Sequence, residues 1–304
     1  MYLEHFGLRD HPFRLTPDTD FLYLSPGHQE ARNVLLVSLR SGEGFIKITG
    51  EVGTGKTLLC RTLLNELGDD YVTAYLPNPC LSPNVFRTAF ADELGVEYTP
   101  SHGMHRLMLR TTEKLSELHT AGKQVVLLID EAQAMPRETL EAVRLLSNLE
   151  TSKTKLLQIV LFAQPELDER LGTRELRQLR QRITFAHTLC PLGQDDAKAY
   201  VGHRLAIAGG HVQMLFEPKA LNDLCRAARG IPRLLNILAH KTLMAAYGKG
   251  ARRITRSHAA MAIHDTEETR GQSSGSRPAL QIGLALGAVA TASAGLYYFL
   301  RTVP

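Results

Sequence analysis

The chain has 304 residues, 44% of them hydrophobic and 22% charged, with a formal charge of +4 and no tryptophan. That is enough apolar material for one large or two medium domains with a real core, and it excludes a disordered chain. So small a basic excess does not by itself call for nucleic acid, whose binders concentrate Lys and Arg on one face.

The N-terminus has no basic start followed by an apolar run, so it is not a secretory signal. Residues 1–27 are rich in Pro, Asp and aromatics, as in His11-Pro12-Phe13 and Leu15-Thr16-Pro17-Asp18, and read as an ordered, irregular arm. Ser25-Pro26 reads as a helix N-cap and first turn, with the helix running to about Leu39. Strands and helices then alternate. A strand at 45–49 precedes a helix at 56–67. A strand at 71–76 precedes helices near 83–94 and 104–119. Val125 to Ile129 is unbroken and apolar, as in a central strand buried on both faces. A helix at 138–149, a buried strand at 157–162 and a last strand at 182–189 follow. The pattern predicts an α/β fold over 28–192, a parallel sheet wrapped by helices. From Gly193 the strand signal stops. Apolar periodicity predicts helices near 194–208, 218–228, 232–247 and 256–264, a small all-helical domain over 193–265. Cys60, Cys80, Cys190 and Cys225 are widely spaced in apolar or mixed runs, and read as buried free thiols in a reducing compartment.

The C-terminal stretch changes character. Residues 266–278 are polar and rich in Gly and Ser, as a linker would be. From Ala279 to Leu300 there is no charged residue, and Gln281 is the only strongly polar one. About 20 apolar residues at ~1.5 Å rise cover a ~30 Å hydrocarbon core, so 279–300 reads as a transmembrane helix with a short tail at 301–304. Arg252, Arg253, Arg256, Arg270 and Arg277 precede the span, against Arg301 after it, which puts the large N-terminal part in the cytoplasm. Gly283, Gly287, Thr291 and Gly295 recur every four residues. They form either a helix-pairing stripe or the ordinary small-residue content of membrane helices.

The chemistry begins at Gly50-Glu51-Val52-Gly53-Thr54-Gly55-Lys56-Thr57, a P-loop between a predicted strand and helix. Its glycines let backbone N–H groups turn inward onto phosphate oxygens, and the helix N-terminus adds positive potential. Lys56 would reach the β- and γ-phosphates of ATP, and the Thr57 hydroxyl would bind Mg²⁺. Asp130-Glu131 ends the apolar strand, where Asp130 can hold Mg²⁺ and Glu131 can polarise an attacking water. Gln164 follows the next buried strand. It could sense the γ-phosphate or hold the water, although Gln-Pro is also ordinary turn chemistry. Arg174, Arg177 and Arg180 recur every three residues near one helix stripe, with Arg182 beside them. They form either a solvated basic face or an arginine finger for a neighbouring subunit. Arg233, in Gly230-Ile231-Pro232-Arg233, either reaches back to the γ-phosphate or is a solvated helix-start residue.

Taken in order, these features resemble the AAA+ ATPases, and within them the ExeA/GspA group of secretion-associated ATPases. The likeness extends over about 1–270. It begins with Phe6-Gly7-Leu8, Pro12-Phe13-Arg14-Leu15-Thr16-Pro17-Asp18 and Phe21-Leu22-Tyr23-Leu24-Ser25-Pro26. It continues through the P-loop, Asp130-Glu131-Ala132-Gln133 and Gln164-Pro165-Glu166-Leu167. It closes with Leu179-Arg180-Gln181-Arg182-Ile183 and Gly230-Ile231-Pro232-Arg233-Leu234-Leu235-Asn236. The resemblance implies Walker A at Lys56 and Thr57 and Walker B at Asp130 and Glu131. It implies sensor 1 at Gln164, a finger at Arg182 and sensor 2 at Arg233. The arm would help cover the adenine, and strand 157–162 would lie between the P-loop strand and the Walker B strand. Homo-oligomers, as rings or dimers, and inner-membrane pilus or secretion assembly proteins are the implied partners. ExeA-type proteins continue past the span into a peptidoglycan-binding domain, whereas this sequence stops at Pro304. That favours the shorter form associated with mannose-sensitive haemagglutinin (MSHA) pilus biogenesis, the MshM-like form. The reading is thus a single-pass inner-membrane ATPase with no nucleic-acid partner. The alternative is a DNA-associated regulator resembling transposition ATPases such as TniB, which has no need of a membrane span.

Overall fold

The computed structural model describes residues 2–99, 103–150 and 154–270. Five strands, β1 (Phe45–Gly50), β2 (Tyr71–Leu76), β3 (Gln124–Ile129), β4 (Leu157–Ala163) and β5 (Phe185–Leu189), form one sheet in the order β2-β3-β4-β1-β5. Every pairing is parallel. The strand at 157–163 therefore lies between the P-loop strand and the strand ending at Ile129, as the resemblance to AAA+ ATPases implies.

The helices in chain order are α1 (Tyr2–Phe6), α2 (Pro26–Arg40), α3 (Lys56–Glu66), α4 (Pro83–Glu93), α5 (Gly103–Thr120), α6 (Arg137–Leu146), α7 (Glu166–Leu171) and α8 (Arg177–Arg180). They continue with α9 (Gln194–Ile207), α10 (Val212–Leu215), α11 (Pro218–Ala227), α12 (Pro232–Gly248), α13 (Arg256–His264) and α14 (Glu267–Arg270). Ser25 caps α2 as expected, its side chain accepting from the His28 amide, with Pro26 in the first turn.

Side-chain alternation on the central strands explains the layering. Val125, Leu127 and Ile129 of β3 and Ile159 and Leu161 of β4 pack with Phe86, Phe90, Leu115 and Leu140 of α4, α5 and α6. Val126, Leu128, Val160 and Phe162 face the other way, onto Leu35, Leu59 and Leu63 of α2 and α3. Each of these strand residues is buried on one side or the other, which is why Val125 to Ile129 reads as an unbroken apolar run. In β4 the run is interrupted by buried Gln158, whose Nε2 donates to the carbonyls of Leu39 and Glu43. Helices α9 to α13 form a second core, with Val201, Leu205, Leu224, Leu235 and Leu238 at its centre.

Several boundaries differ from the expectation. The arm is not wholly irregular, because it opens with α1. Its Tyr2, Phe6, Leu8, Phe13 and Phe21 join the core of the C-terminal helices. The last strand starts at Phe185 rather than Arg182, since the Arg182 amide still closes a turn onto the Leu179 carbonyl. Strand-side bonding begins when the Thr184 amide reaches the Phe45 carbonyl. Helix α6 stops at Leu146, and α8 covers only Arg177–Arg180, so Arg174 sits in the preceding bend and the three-residue stripe is not one helix. Cys60 and Cys225 are buried, but Cys80 and Cys190 are exposed, because both fall in loops just past strand ends. The beginning of the expected linker forms the single turn α14, tied down by Thr269 Oγ1 donating to the carbonyls of Ile263 and Thr266. The expected membrane span at 279–300 and the tail at 301–304 lie outside the described residues. Among the described residues, no helix is long and apolar enough to cross a membrane.

The segment that leaves β5 is tied by its backbone to the turn between α11 and α12. The Leu192 amide donates to the Gly230 carbonyl at 2.8 Å. Gly230 has φ of +73°, and a Cβ there would lie 2.0 Å from the Leu192 carbonyl oxygen. Gly230→Ala therefore combines a left-handed alanine, ~1–2 kcal/mol, with ~1–3 kcal/mol of overpacking against backbone. The expected loss in a urea melt is about 3 kcal/mol. A wild-type midpoint would show that the junction yields freely.

Candidate nucleotide site

The loop after β1 turns back over the sheet and feeds α3. Gly53 has φ of +79°, and a Cβ there would lie 2.6 Å from the Cβ of Arg233, so only glycine lets the loop and α12 meet. The Arg233 amide donates to the Gly53 carbonyl at 3.2 Å, closing that contact. Behind the loop, His28 Nε2 donates to the Thr54 carbonyl at 2.9 Å, and Ser25 Oγ donates to His28 Nδ1 at 2.7 Å. A carbonyl can only accept, so Nε2 carries a proton. Burial holds the His28 pKa below its ordinary value, against the opposing effect of the Thr54 bond.

Lys56 is buried, and its Nζ donates to the carbonyls of Gly50 at 2.7 Å and Glu51 at 2.9 Å. Burial lowers its pKa, opposed by the charges of Glu131, Asp130, Glu51 and Glu166. Thr57 Oγ1 donates to Asp130 Oδ2 at 2.7 Å. Asp130 is 2% exposed, and its amide still pairs with the Leu76 carbonyl, which fixes the carboxylate at the top of the sheet. Burial raises its pKa, while the Thr57 hydroxyl and the Glu131 amide pull it down.

Glu131 follows in a left-handed conformation, φ 54° and ψ 37°. Its Oε2 accepts from Gln164 Nε2 at 3.0 Å and from Gln133 Nε2 at 2.5 Å. Lys56, Thr57, Glu131, Gln164 and Arg233 all line one cleft of about 200 Å³. Arg14 to Asp18 of the arm line the same cleft. The arm thus divides its work: its aromatic residues anchor in the helical core, and its 14–18 segment walls the cleft. Leu15 of the arm and Val52 of the loop, at 55% and 51% exposure, are apolar residues of the cleft lining.

Arg182 is not brought into the cleft. It is exposed, and its Nη2 donates to Asn148 Oδ1 at 2.6 Å. Arg174, Arg177 and Arg180 are exposed as well.

Three residues with no role assigned from the sequence also line the cleft. Arg204 Nε donates to the Pro12 carbonyl at 2.5 Å, and its Nη1 donates to Tyr200 Oη at 3.0 Å. Tyr200 Oη donates to Asn236 Oδ1 at 3.0 Å. The Arg204 guanidinium lies 4.9 Å from the Phe21 ring centre. This chain of contacts fastens the arm to α9 and α12. Asn236 closes the segment that opens with Gly230, three residues past Arg233, and that spacing was its only signal.

A parallel sheet with β4 between β1 and β3, a glycine loop feeding α3 and an acidic pair at the end of β3 together define an α/β P-loop fold of the AAA+ class. Residues 39–171 match the family described as AAA domain. The chain is similar to General secretion pathway protein A of Aeromonas hydrophila, with 42% identity over 272 residues. That match covers 90% of this chain and 50% of that protein, so the chain spans about half the length of the curated relative. Among solved structures, it resembles the CDC6P protein of Pyrobaculum aerophilum, with a TM-score of 0.64 and 16% identity over 82% of this chain and 70% of that one. It also resembles the ORC2 protein of Aeropyrum pernix, solved as ADPNP and ADP complexes, with a TM-score of 0.60 and 15% identity over 82% of this chain and 72% of that one. At such identities the likeness concerns the fold alone.

Proposed function

We propose that the protein hydrolyses ATP with Mg²⁺ at this cleft, as a membrane-anchored motor or switch for type II secretion or type IV (MSHA-like) pilus assembly. The observation that carries the chemistry is the convergence of Thr57–Asp130 and Glu131–Gln164 beside Lys56. Thr57 and Asp130 are hard oxygen donors held together, a donor set that suits Mg²⁺, and they would hold the ion. Bound there, Mg²⁺ supplies charge neutralisation to the β- and γ-phosphates. Lys56, already buried at the loop, exchanges its bonds to the Gly50 and Glu51 carbonyls for phosphate oxygens. The backbone amides from Gly50 to Thr57 cradle the phosphates at the start of α3. Glu131 polarises the attacking water, and Gln164 orients it or reads the γ-phosphate. Arg233 couples the γ-phosphate to the helical domain over 193–265. Leu15 and Val52 offer an apolar seat to the base. Arg182, remote from its own cleft, serves as finger for a neighbouring copy.

The process is supported by the 42% identity to the Aeromonas protein, whose name places that protein in general secretion. The location is supported by the uncharged run 279–300 and the arginines before it, which give a single-pass inner-membrane protein with its ATPase domain in the cytoplasm. The expected domain plan is an arm at 1–27, the nucleotide domain at 28–192, the helical domain, a linker at 266–278 and the anchor. Fractionation of cells expressing the full chain tests this directly. Recovery with membranes, extractable by detergent and with turnover indifferent to DNA, is expected. A soluble protein with DNA-stimulated turnover would favour the transposition-type regulator instead.

A further inference from the structure

We propose that Gln133 is a positioning residue that fixes the carboxylate of Glu131 for water activation. The inference rests on the hydrolysis reading of the cleft and adds to it a residue that reaches the chemistry only through Glu131.

The geometry assigns the Gln133 amide without ambiguity. The Gln164 backbone N–H, 3.0 Å from Gln133 Oε1, can only donate. That fixes Oε1 toward β4 and therefore turns Nε2 toward Glu131, where it donates to Oε2 at 2.5 Å. Gln164 Nε2 donates to the same oxygen. Two amides thus saturate one carboxylate oxygen, while Oε1 of Glu131 takes no hydrogen bond among the described residues. Gln133 is itself anchored: Arg170 Nη1 donates to its carbonyl at 2.6 Å, and Arg170 Nη2 donates to the Met135 carbonyl at 2.7 Å. The loop after β3, the end of β4 and α7 are therefore joined at one residue, the first two through its side chain and α7 through its carbonyl. Glu131 needs such a frame. Its φ of 54° is in the left-handed region that side-chain-bearing residues seldom adopt, so its backbone alone does not hold it in place. A carboxylate misplaced by about 1 Å loses on the order of 10²-fold in rate.

The test compares full-length wild type with Q133E, Q133M, E131Q and the double variant E131Q/Q133E. The glutamate of Q133E keeps the shape and still accepts from the Gln164 amide, but it sets a second carboxylate where the donor was. The methionine of Q133M keeps the length and supplies neither donor nor acceptor of comparable strength. The readouts are kcat, ATP affinity by fluorescent-nucleotide titration, and thermal midpoint. Q133E is expected to lower kcat on the order of 10²-fold with ATP affinity within about threefold of wild type. In the E131Q background the same change is expected to alter residual turnover less than about twofold, because its route of action is gone. Equal losses in both backgrounds would assign Gln133 a merely structural role and overturn the proposal. Wild-type kcat in Q133E beside a disabled E131Q would overturn it too, leaving the hydrolysis reading intact. Wild-type turnover in E131Q would remove the hydrolysis reading itself. If Q133E does not fold, Q133M carries the same comparison, with a loss of kcat expected and wild-type kcat contradicting the proposal.

Discussion

Glu131→Gln is expected to lower kcat by about 10²–10⁴-fold, the range for loss of a general base, while ATP still binds. The amide oxygen of the new side chain can accept from Gln133 and Gln164 as the carboxylate does, so the local hydrogen bonds survive. What disappears is the charge proposed to polarise the water. The groups proposed to grip the triphosphate, Lys56 and the loop amides, make no hydrogen bond to Glu131. Removing a negative charge beside the γ-phosphate also favours binding, so the variant should retain ATP as a trapped complex. The check is steady-state phosphate release alongside filter retention of labelled ATP. Turnover within about threefold of wild type would assign the water to another group.

Arg182→Ala should cost about 10³-fold or more in kcat with little change in ATP affinity, the behaviour of an arginine finger supplied in trans. Arg182 does not line its own cleft and is held by Asn148 at the surface, which favours action on a neighbouring copy. Mixing Arg182→Ala subunits with Lys56→Ala subunits should therefore restore activity, because each supplies what the other lacks. The Lys56→Ala copies lend their finger to an intact cleft on the Arg182→Ala copies. Failure of every mixing ratio to rescue would contradict a shared site.

The sheet was legible because its central strands are buried on both faces. Val125 to Ile129 and Leu157 to Phe162 could be read as strands, and the glycine loop marked which strand leads into the candidate phosphate site. Asp130, Glu131 and Gln164 were legible because the ends of such strands are where a parallel sheet presents polar groups. The arm was not. Tyr2 and Phe6 find their partners on helices about 200 residues further along the chain, and nothing local marks that docking. The start of β5 was missed because it depends on pairing with Phe45, not on the composition of Arg182 to Thr184. Cys80 and Cys190 read as buried from their apolar neighbours, but loop backbone carries them to the surface. Gln133 stood in view within Asp-Glu-Ala-Gln. Its role became visible only when Gln164 arrived across the sheet to orient its amide.

The central claim, that this cleft hydrolyses ATP, is tested most directly by phosphate release from the detergent-solubilised full chain, with Lys56→Ala as the control. The wild type should show release that saturates with ATP and stops when EDTA removes Mg²⁺. Lys56→Ala should fall by at least ~10²-fold, since its ammonium is the side-chain cation buried within the loop. Equal release from the two proteins, or release indifferent to EDTA, would place the chemistry elsewhere and contradict the account.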